Sequence, residues 1–404
     1  GKQVHEEIIS RGLLKSNVVL GTALVDMYVK CGLLAKAQEV LNELPVRDII
    51  TWNSLVAGYT QSGKCHEAWN CLIEMQREGL TPNDVTFICI LKACGSTRAI
   101  NKGKQMHKQI LDWGLLENNI ILGTALVDMY AKCGLLTKAQ EVLEDLPLRN
   151  VISWNALIAG YAQEEQGFQA LNCFEQMQEE GIPPNEVTFI SVLKTCGSIN
   201  AIDKGKQIHE EIMSRGFLKK DNMLGNSLVD MYVKCGMVEK ALEVLESLPN
   251  RDVVTWSSMI AGYAQCGQCC VAINCFERML SEGFSPNVVT FVCILKACTS
   301  IGAIDKGEEI HNFIASKGWV ERDIFLGTAL VDMYAKCGML VKAEKVLKEL
   351  PIRGVITWNA LITGHVQLEL GHAALKCVEQ MQAEGLSPNA VTFICILKAC
   401  GSIG

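Results

Sequence analysis

The string Lys-Cys-Gly occurs at residues 30–32, 132–134, 234–236 and 336–338, a step of 102 residues each time. His5, His107, His209 and His311 keep the same step, and so do Trp52, Trp154, Trp256 and Trp358. The 404 residues are therefore about four copies of one unit. Such a chain folds as a repeat array, because each copy can bury its apolar face only on its neighbours.

Each unit divides into three modules. Segments of 31 residues occupy 18–48, 120–150, 222–252 and 324–354, and segments of 35 residues occupy 49–83, 151–185, 253–287 and 355–389. Segments of 36 residues fill 84–119, 186–221 and 288–323, with partial ones at 1–17 and 390–404. A single array over residues 1–404 is expected, in a chain that is a fragment or trimmed. Each module reads as two helices. Leu20, Leu24, Met27 and Tyr28 lie at helical spacing, Gly32 breaks the pattern, and Leu34, Ala37, Val40, Leu41 and Leu44 form a second stripe that Pro45 stops. No strand-like alternation persists, so the predicted fold is all-α: a right-handed α-solenoid superhelix of stacked helix-turn-helix repeats.

Composition narrows the function. Apolar residues are 49% of the chain and the formal net charge is −7, which excludes disorder. A polyanion would have to be held by local geometry rather than by general attraction. No apolar run approaches a bilayer span, so no membrane partner is expected. The start, Gly1-Lys2-Gln3-Val4-His5, has no signal or transit segment. The 19 cysteines are odd in number and sit in apolar helical stripes, as Cys89 and Cys94 do, so they read as small buried hydrophobes in a reducing compartment.

The 35-residue modules, such as Val-Ile-Ser-Trp-Asn-Ala-Leu-Ile-Ala-Gly-Tyr-Ala-Gln from Val151, resemble pentatricopeptide repeats. The alternation of 35, 36 and 31 residues is similar to the P, L and S modules of the PLS subclass found in plant organelle proteins. Residues 85–111 match the L type and 122–150 the S type. Family editing and deaminase segments have no counterpart here, so no catalysis and no cofactor are implied. The four units are so alike that recent duplication or consensus design is indicated.

The resemblance implies single-stranded RNA binding at about one base per module, in mitochondria or chloroplasts, in roles such as C-to-U editing-site recognition. It also implies small organelle editing cofactor proteins docking on L modules. The implied base readers are the fifth and last residues. In P and S modules these pair as Thr22 with Asp48, Asn53 with Asn83, Thr124 with Asn150, and Asn155 with Asn185. The series continues with Asn226 and Asp252, Ser257 and Asn287, Thr328 and Gly354, and Asn359 and Asn389. Chemistry agrees: Asp only accepts, which suits the ring N–H of G or U, whereas Asn can donate to the bare ring nitrogen of A or C. The family associates Thr or Ser at the fifth position with purines and Asn with pyrimidines. In 5′-to-3′ order the implied site is 5′-GCnACnUAnnC-3′, where Gly354 has no side chain and the L modules offer Ile88, Ile190, Val292 and Ile394.

The family also sandwiches bases between apolar second residues, here Val19, Ile50, Val85, Ile121, Ile152, Val187, Met223, Val254, Val289, Phe325, Ile356 and Val391. Lys30, Lys132, Lys234 and Lys336 are candidates for phosphate. Structural readings compete: Lys30 lies four residues after Asp26, a favourable helix pair, and the Trp52 and His5 series suit packing between helices. Enzyme motifs fail, since His5-Glu6 lacks a second zinc-binding His and Gly103-Lys104 precedes Gln105. The cluster Cys266, Cys269, Cys270 and Cys275 occurs in one unit only. The competing function is a tetratricopeptide-like protein-interaction scaffold, whose uniform 34-residue modules do not fit the alternation.

Overall fold

Asn17 is extended, and its side chain accepts from the backbone N–H of Leu20, which starts helix Val18–Lys30. That helix buries Leu24, Val25 and Tyr28. Gly32 ends it with φ of 71°, a conformation that lets the Leu33 N–H return to the Tyr28 carbonyl at 2.9 Å. Helix Leu34–Glu43 then packs back with Leu34, Ala37, Val40 and Leu41 buried. Leu44 is extended, and Pro45 cannot continue the helix. The next residue with a capping side chain, Asp48, starts helix Ile49–Gln61, and the pattern repeats.

The computed structural model describes residues 1–15, 17–117, 119–219 and 222–403. Among them are 24 α-helices and two short 3-10 turns, and no strand. The chain is described as two compact units, Gly1–Ile199 and Asn200–Gly404. In the first unit the row of first helices runs Val18–Lys30, Ile49–Gln61, Asp84–Thr97, Ile120–Lys132, Val151–Gln163 and Glu186–Ser198, each packed on the next. In the second it runs Asn222–Lys234, Val253–Gln265, Val288–Ile301, Ile324–Lys336, Val355–Gln367 and Ala390–Ile403. Second helices pack on first helices rather than on one another, so in each unit the first helices form the tighter, inner row.

That closeness needs small residues. A Cβ on Gly160 would lie 2.8 Å from the Ala131 Cβ on the neighbouring first helix. Side-chain hydrogen bonds lock successive hairpins. His107 Nδ1 meets Tyr130 Oη at 2.9 Å, and His5, His209 and His311 make the same contact with Tyr28, Tyr232 and Tyr334. The four tryptophans that recur at 102 residues, Trp52, Trp154, Trp256 and Trp358, are buried. Trp52, Trp154 and Trp358 donate from Nε1 to Glu78, Glu180 and Glu384, while Trp256 Nε1 has no partner and its ring lies under Arg278.

Candidate nucleic-acid interface

Among the described residues, hairpin-ending residues such as Asp48, Asn83, Asn150 and Asn185 are also the N-caps of the following first helices, and that double position fixes their chemistry. Asn83 Oδ1 accepts the Thr86 backbone N–H at 3.1 Å, and Thr86 Oγ1 accepts the Asn83 N–H at 3.2 Å, a closed capping box. A backbone N–H only donates, so the atom facing it is the amide oxygen. Asn53 Nδ2 donates to that same oxygen at 2.9 Å, and Thr86 Oγ1 donates to Asn53 Oδ1 at 2.6 Å. Asn83 therefore keeps its Nδ2 donors to offer outward, and the residue is exposed. Asn155, Asn185 and Thr188 repeat this network, as do Asn359, Asn389 and Thr392.

Aspartate in the same place offers the opposite polarity. Asp48 Oδ1 accepts from the Thr51 N–H at 2.8 Å and from Thr51 Oγ1 at 2.5 Å, which leaves Oδ2 as an acceptor. Thr22 Oγ1 lies 2.6 Å from Thr51 Oγ1. Asp252 takes the Thr255 N–H at 2.8 Å on Oδ1, and Asn226 Nδ2 at 3.1 Å on Oδ2; Thr255 Oγ1 also bonds Asn226 Oδ1. Burial pushes the Asp252 carboxyl up, but the hydrogen bonds from Thr255 and Asn226 outweigh it and hold the carboxyl below its ordinary value. It is an ionised, pure acceptor at neutral pH. Ser257 Oγ lies 2.6 Å from Thr290 Oγ1, beside the Asn287 cap. Thr124 donates to the Ile120 carbonyl at 2.8 Å, next to the Asn150–Ser153 box. Gly354 caps its helix with no side chain, and Thr328 Oγ1 meets Thr357 Oγ1 at 2.7 Å there.

The second residues of the first helices form an exposed apolar series. Val19, Ile50, Val85, Ile121, Ile152, Val187, Met223, Val254, Val289, Phe325, Ile356 and Val391 are all between 50% and 77% exposed. Isolated exposed apolar side chains are ordinary; here the same helical position is apolar and exposed in twelve first helices. In the second unit one cavity of about 570 Å³ joins these groups, with Phe325, Ile356 and Thr328 in its lining and Gly354 at its edge.

Comparison with known proteins bears on these hairpins directly. A model of the PPR repeat family matches residues 47–96, 149–198, 251–300 and 353–402, and a second PPR repeat model matches 22–49, 124–151, 226–253 and 328–355. The chain belongs to the pentatricopeptide repeat family. A chloroplastic pentatricopeptide repeat-containing protein of Arabidopsis thaliana is 35% identical over 404 residues, covering all of this chain and 49% of the relative. A mitochondrial one from the same plant is 33% identical over 401 residues, 99% of this chain and 39% of its own length. The chain thus spans about half the length, or less, of these two relatives. Its fold matches the crystal structure of the pentatricopeptide repeat protein PPR10 in complex with an 18-nt psaJ RNA element, at a TM-score of 0.78 and 20% identity, over 95% of this chain and 57% of that one.

In these pentatricopeptide hairpins the lysines expected to meet phosphate are already engaged. Lys30, Lys132 and Lys234 each bind an aspartate one turn back, Asp26, Asp128 and Asp230, at 2.7 Å, and Lys336 binds Asp332 at 2.9 Å. The groups that sequence reasoning passed over are elsewhere. Thr86, Thr188, Thr255, Thr290 and Thr392 are fully buried and tie the fifth residue to the last. Their signal was available as Asn/Asp-x-x-Thr, a capping-box spacing. Lys92, Lys194, Lys296 and Lys398 also recur at 102 residues and are exposed. Among the described residues no carboxylate is paired with them. Cys269 and Cys275 are buried whereas Cys266 and Cys270 are exposed, and among the described residues no cluster suits a metal. No described helix is long and apolar enough to cross a membrane.

Proposed function

We propose that the chain binds single-stranded RNA along the row of first helices, about one nucleotide per hairpin, and selects bases through the fifth and last residues. The observation that carries this reading is the cap geometry. It consumes one oxygen of Asn83 or Asp48 and leaves Nδ2 of Asn83, or Oδ2 of Asp48, to face a partner beside an exposed apolar residue. A base supplies what such a site lacks: an apolar face and one ring edge that either donates or accepts. Taken in order, the side chains favour 5′-GCnACnUAnnC-3′. The hairpins with Ile88, Ile190 and Val292 at the fifth place leave their bases unselected, in keeping with a PLS-type alternation. The relatives named chloroplastic and mitochondrial support action in a plant organelle, on transcripts marked for processing such as C-to-U editing. In that role this chain supplies recognition, other proteins supply the chemistry, and small editing cofactor proteins dock on the L-type hairpins.

The test is a gel shift with this RNA, its DNA analogue, a scrambled RNA and a hairpin that pairs the target, followed by selection from a random RNA pool. Preference for the unpaired target RNA is expected, because edges must be splayed to be read. Equal affinity for the paired hairpin would sink base reading. Absence of any RNA binding would leave a peptide-binding scaffold as the better account.

A further inference from the structure

We infer that the hairpins with no base-reading side chain hold the RNA backbone instead, through Lys92, Lys194 and Lys296 as phosphate contacts. The inference rests on the RNA reading above. Each lysine stands four residues after the apolar fifth residue, Ile88, Ile190 or Val292, and so lies on the same helix face one turn further along. In the second unit the cavity lined by Phe325 and Thr328 is also lined by Lys296. An ammonium there sits one turn from the place where a stacked base would lie, about where its phosphate must pass.

The surroundings leave the ammonium groups as the cationic donors of this face. Lys194 lines a cavity with Ser191, Thr195 and Ser198, and Lys296 lines a second one with Thr299 and Ser300, but each of these hydroxyls donates to a carbonyl of its own helix. Lys336, in the same cavities as Lys296, is held by Asp332, so that pair presents little net charge. The equivalent position in the 35-residue hairpins is Ala57, Ala159, Ala261 or Thr363, none of them a cation. One unbalanced cation therefore recurs per 102 residues, within a chain of net charge −7. Local placement, not overall charge, would supply the attraction.

The test compares the salt dependence of RNA affinity in three proteins: the wild type, the triple variant Lys92→Gln/Lys194→Gln/Lys296→Gln, and a control in which Asp26/Lys30, Asp128/Lys132 and Asp230/Lys234 become Asn/Gln pairs. Gln keeps helix propensity close to that of Lys, and circular dichroism melts check that all three are folded. With about 0.7 counterions released per single-strand phosphate, the log–log slope of the triple variant should be shallower than wild type by about 2. Its affinity should fall by one common factor for every RNA, with base preferences kept. The control should retain the wild-type slope. Binding with an unchanged slope in the triple variant overturns this inference and leaves the base-reading proposal standing, as does a control that takes the drop. A wild type that binds no RNA overturns both.

Discussion

Gly354→Asn turns the one unread polar hairpin into a reader. Gly354 has φ of −106° and ψ of 167°, ordinary extended backbone that Asn adopts without strain. A Cβ added there meets only Ile324 Cδ1, at 3.9 Å. Thr357 already stands three residues on, buried, with its hydroxyl 2.7 Å from Thr328. An Asn at 354 would close the capping box that Asn83 closes with Thr86, placing Oδ1 on the Thr357 N–H and Nδ2 at the cavity of about 570 Å³. Replacing Gly by Asn at an N-cap is worth a few tenths of a kcal/mol, so the melting temperature should rise only slightly. The larger effect is on base choice. Nδ2 can donate to the bare ring nitrogen of A, whereas against G two donors face each other. An unsatisfied donor costs about 1–3 kcal/mol when buried. The cavity is open to water, so the low end applies, and about 1 kcal/mol is roughly a fivefold ratio of affinities.

The assay is fluorescence anisotropy with four RNAs that differ only at the tenth nucleotide of the proposed site. In the wild type the proposed stacking on Phe325, the aromatic member of the exposed apolar series, would accept any base, so discrimination should be small. The variant should prefer A over G by about fivefold, matching the Thr124–Asn150 combination. A variant that gains cap stability but keeps the wild-type A-to-G ratio would refute the idea that the spare amide of the cap reads the base.

Asn226→Thr should move the preference at the seventh nucleotide from U toward G by about 1 kcal/mol, since it recreates the trio Thr22, Asp48 and Thr51 while Asp252 still accepts a ring N–H; anisotropy on RNAs varied at that base checks it, and unchanged preference for U would show Asn226 to be structural. Thr86→Val removes a buried hydroxyl that donates to Asn53 Oδ1, so chemical denaturation should show a loss of about 1–3 kcal/mol; a loss near zero would mean the network holds nothing in place. Stability should also fall as pH drops below about 6.5, the usual range for histidine. Burial depresses the His107, His209 and His311 rings, so the unfolded chain takes up protons first. On the alkaline side burial pushes the Cys71, Cys94 and Cys173 thiols up to about 12, so unfolded thiols ionise first and stability should fall as pH rises past their ordinary value. Melting temperature against pH measures both limbs, and His→Gln at the three positions should flatten the acid one.

What could be read beforehand was local. Gly32 and Pro45 punctuate the chain through backbone rules that act within one turn, and the stripe from Leu34 to Leu44 shows its period in ten or so residues. The polar fifth residues stood out because they interrupt apolar helices at a constant place. Thr86 did not, because its importance lies in Asn53, 33 residues away, and no local pattern announces a buried hydroxyl bridging two hairpins. The Asp26–Lys30 spacing was visible as a favourable helix pair, and the 2.7 Å contact shows that pair formed. Lys92 was hidden inside the apolar run Phe-Ile-Cys-Ile-Leu-Lys-Ala-Cys, where a core reading absorbs a single cation. The split after Ile199 has no compositional mark, since the 102-residue period runs through it unchanged.

The cap geometry also predicts that the proposed recognition residues can be exchanged without unfolding the chain. Asn and Asp are nearly equal as N-caps, so exchanging Asn150 for Asp, or Asp48 for Asn, leaves the helix start intact and changes only the polarity of the spare atom. The oxygen that the helix requires is present in both. A last residue outside this pair would lose either the cap or the edge contact, as Gly354 loses both. At the fifth position Thr, Ser and Asn share the ability to meet the buried Thr hydroxyl of the next helix, as Thr22, Ser257 and Asn53 do. In the hairpins that end in Asp48, Asn83, Asn185, Asp252, Asn287 and Asn389 the variation is thus confined to residues that meet the buried Thr of the next helix, and the freedom that remains is the polarity and reach presented outward.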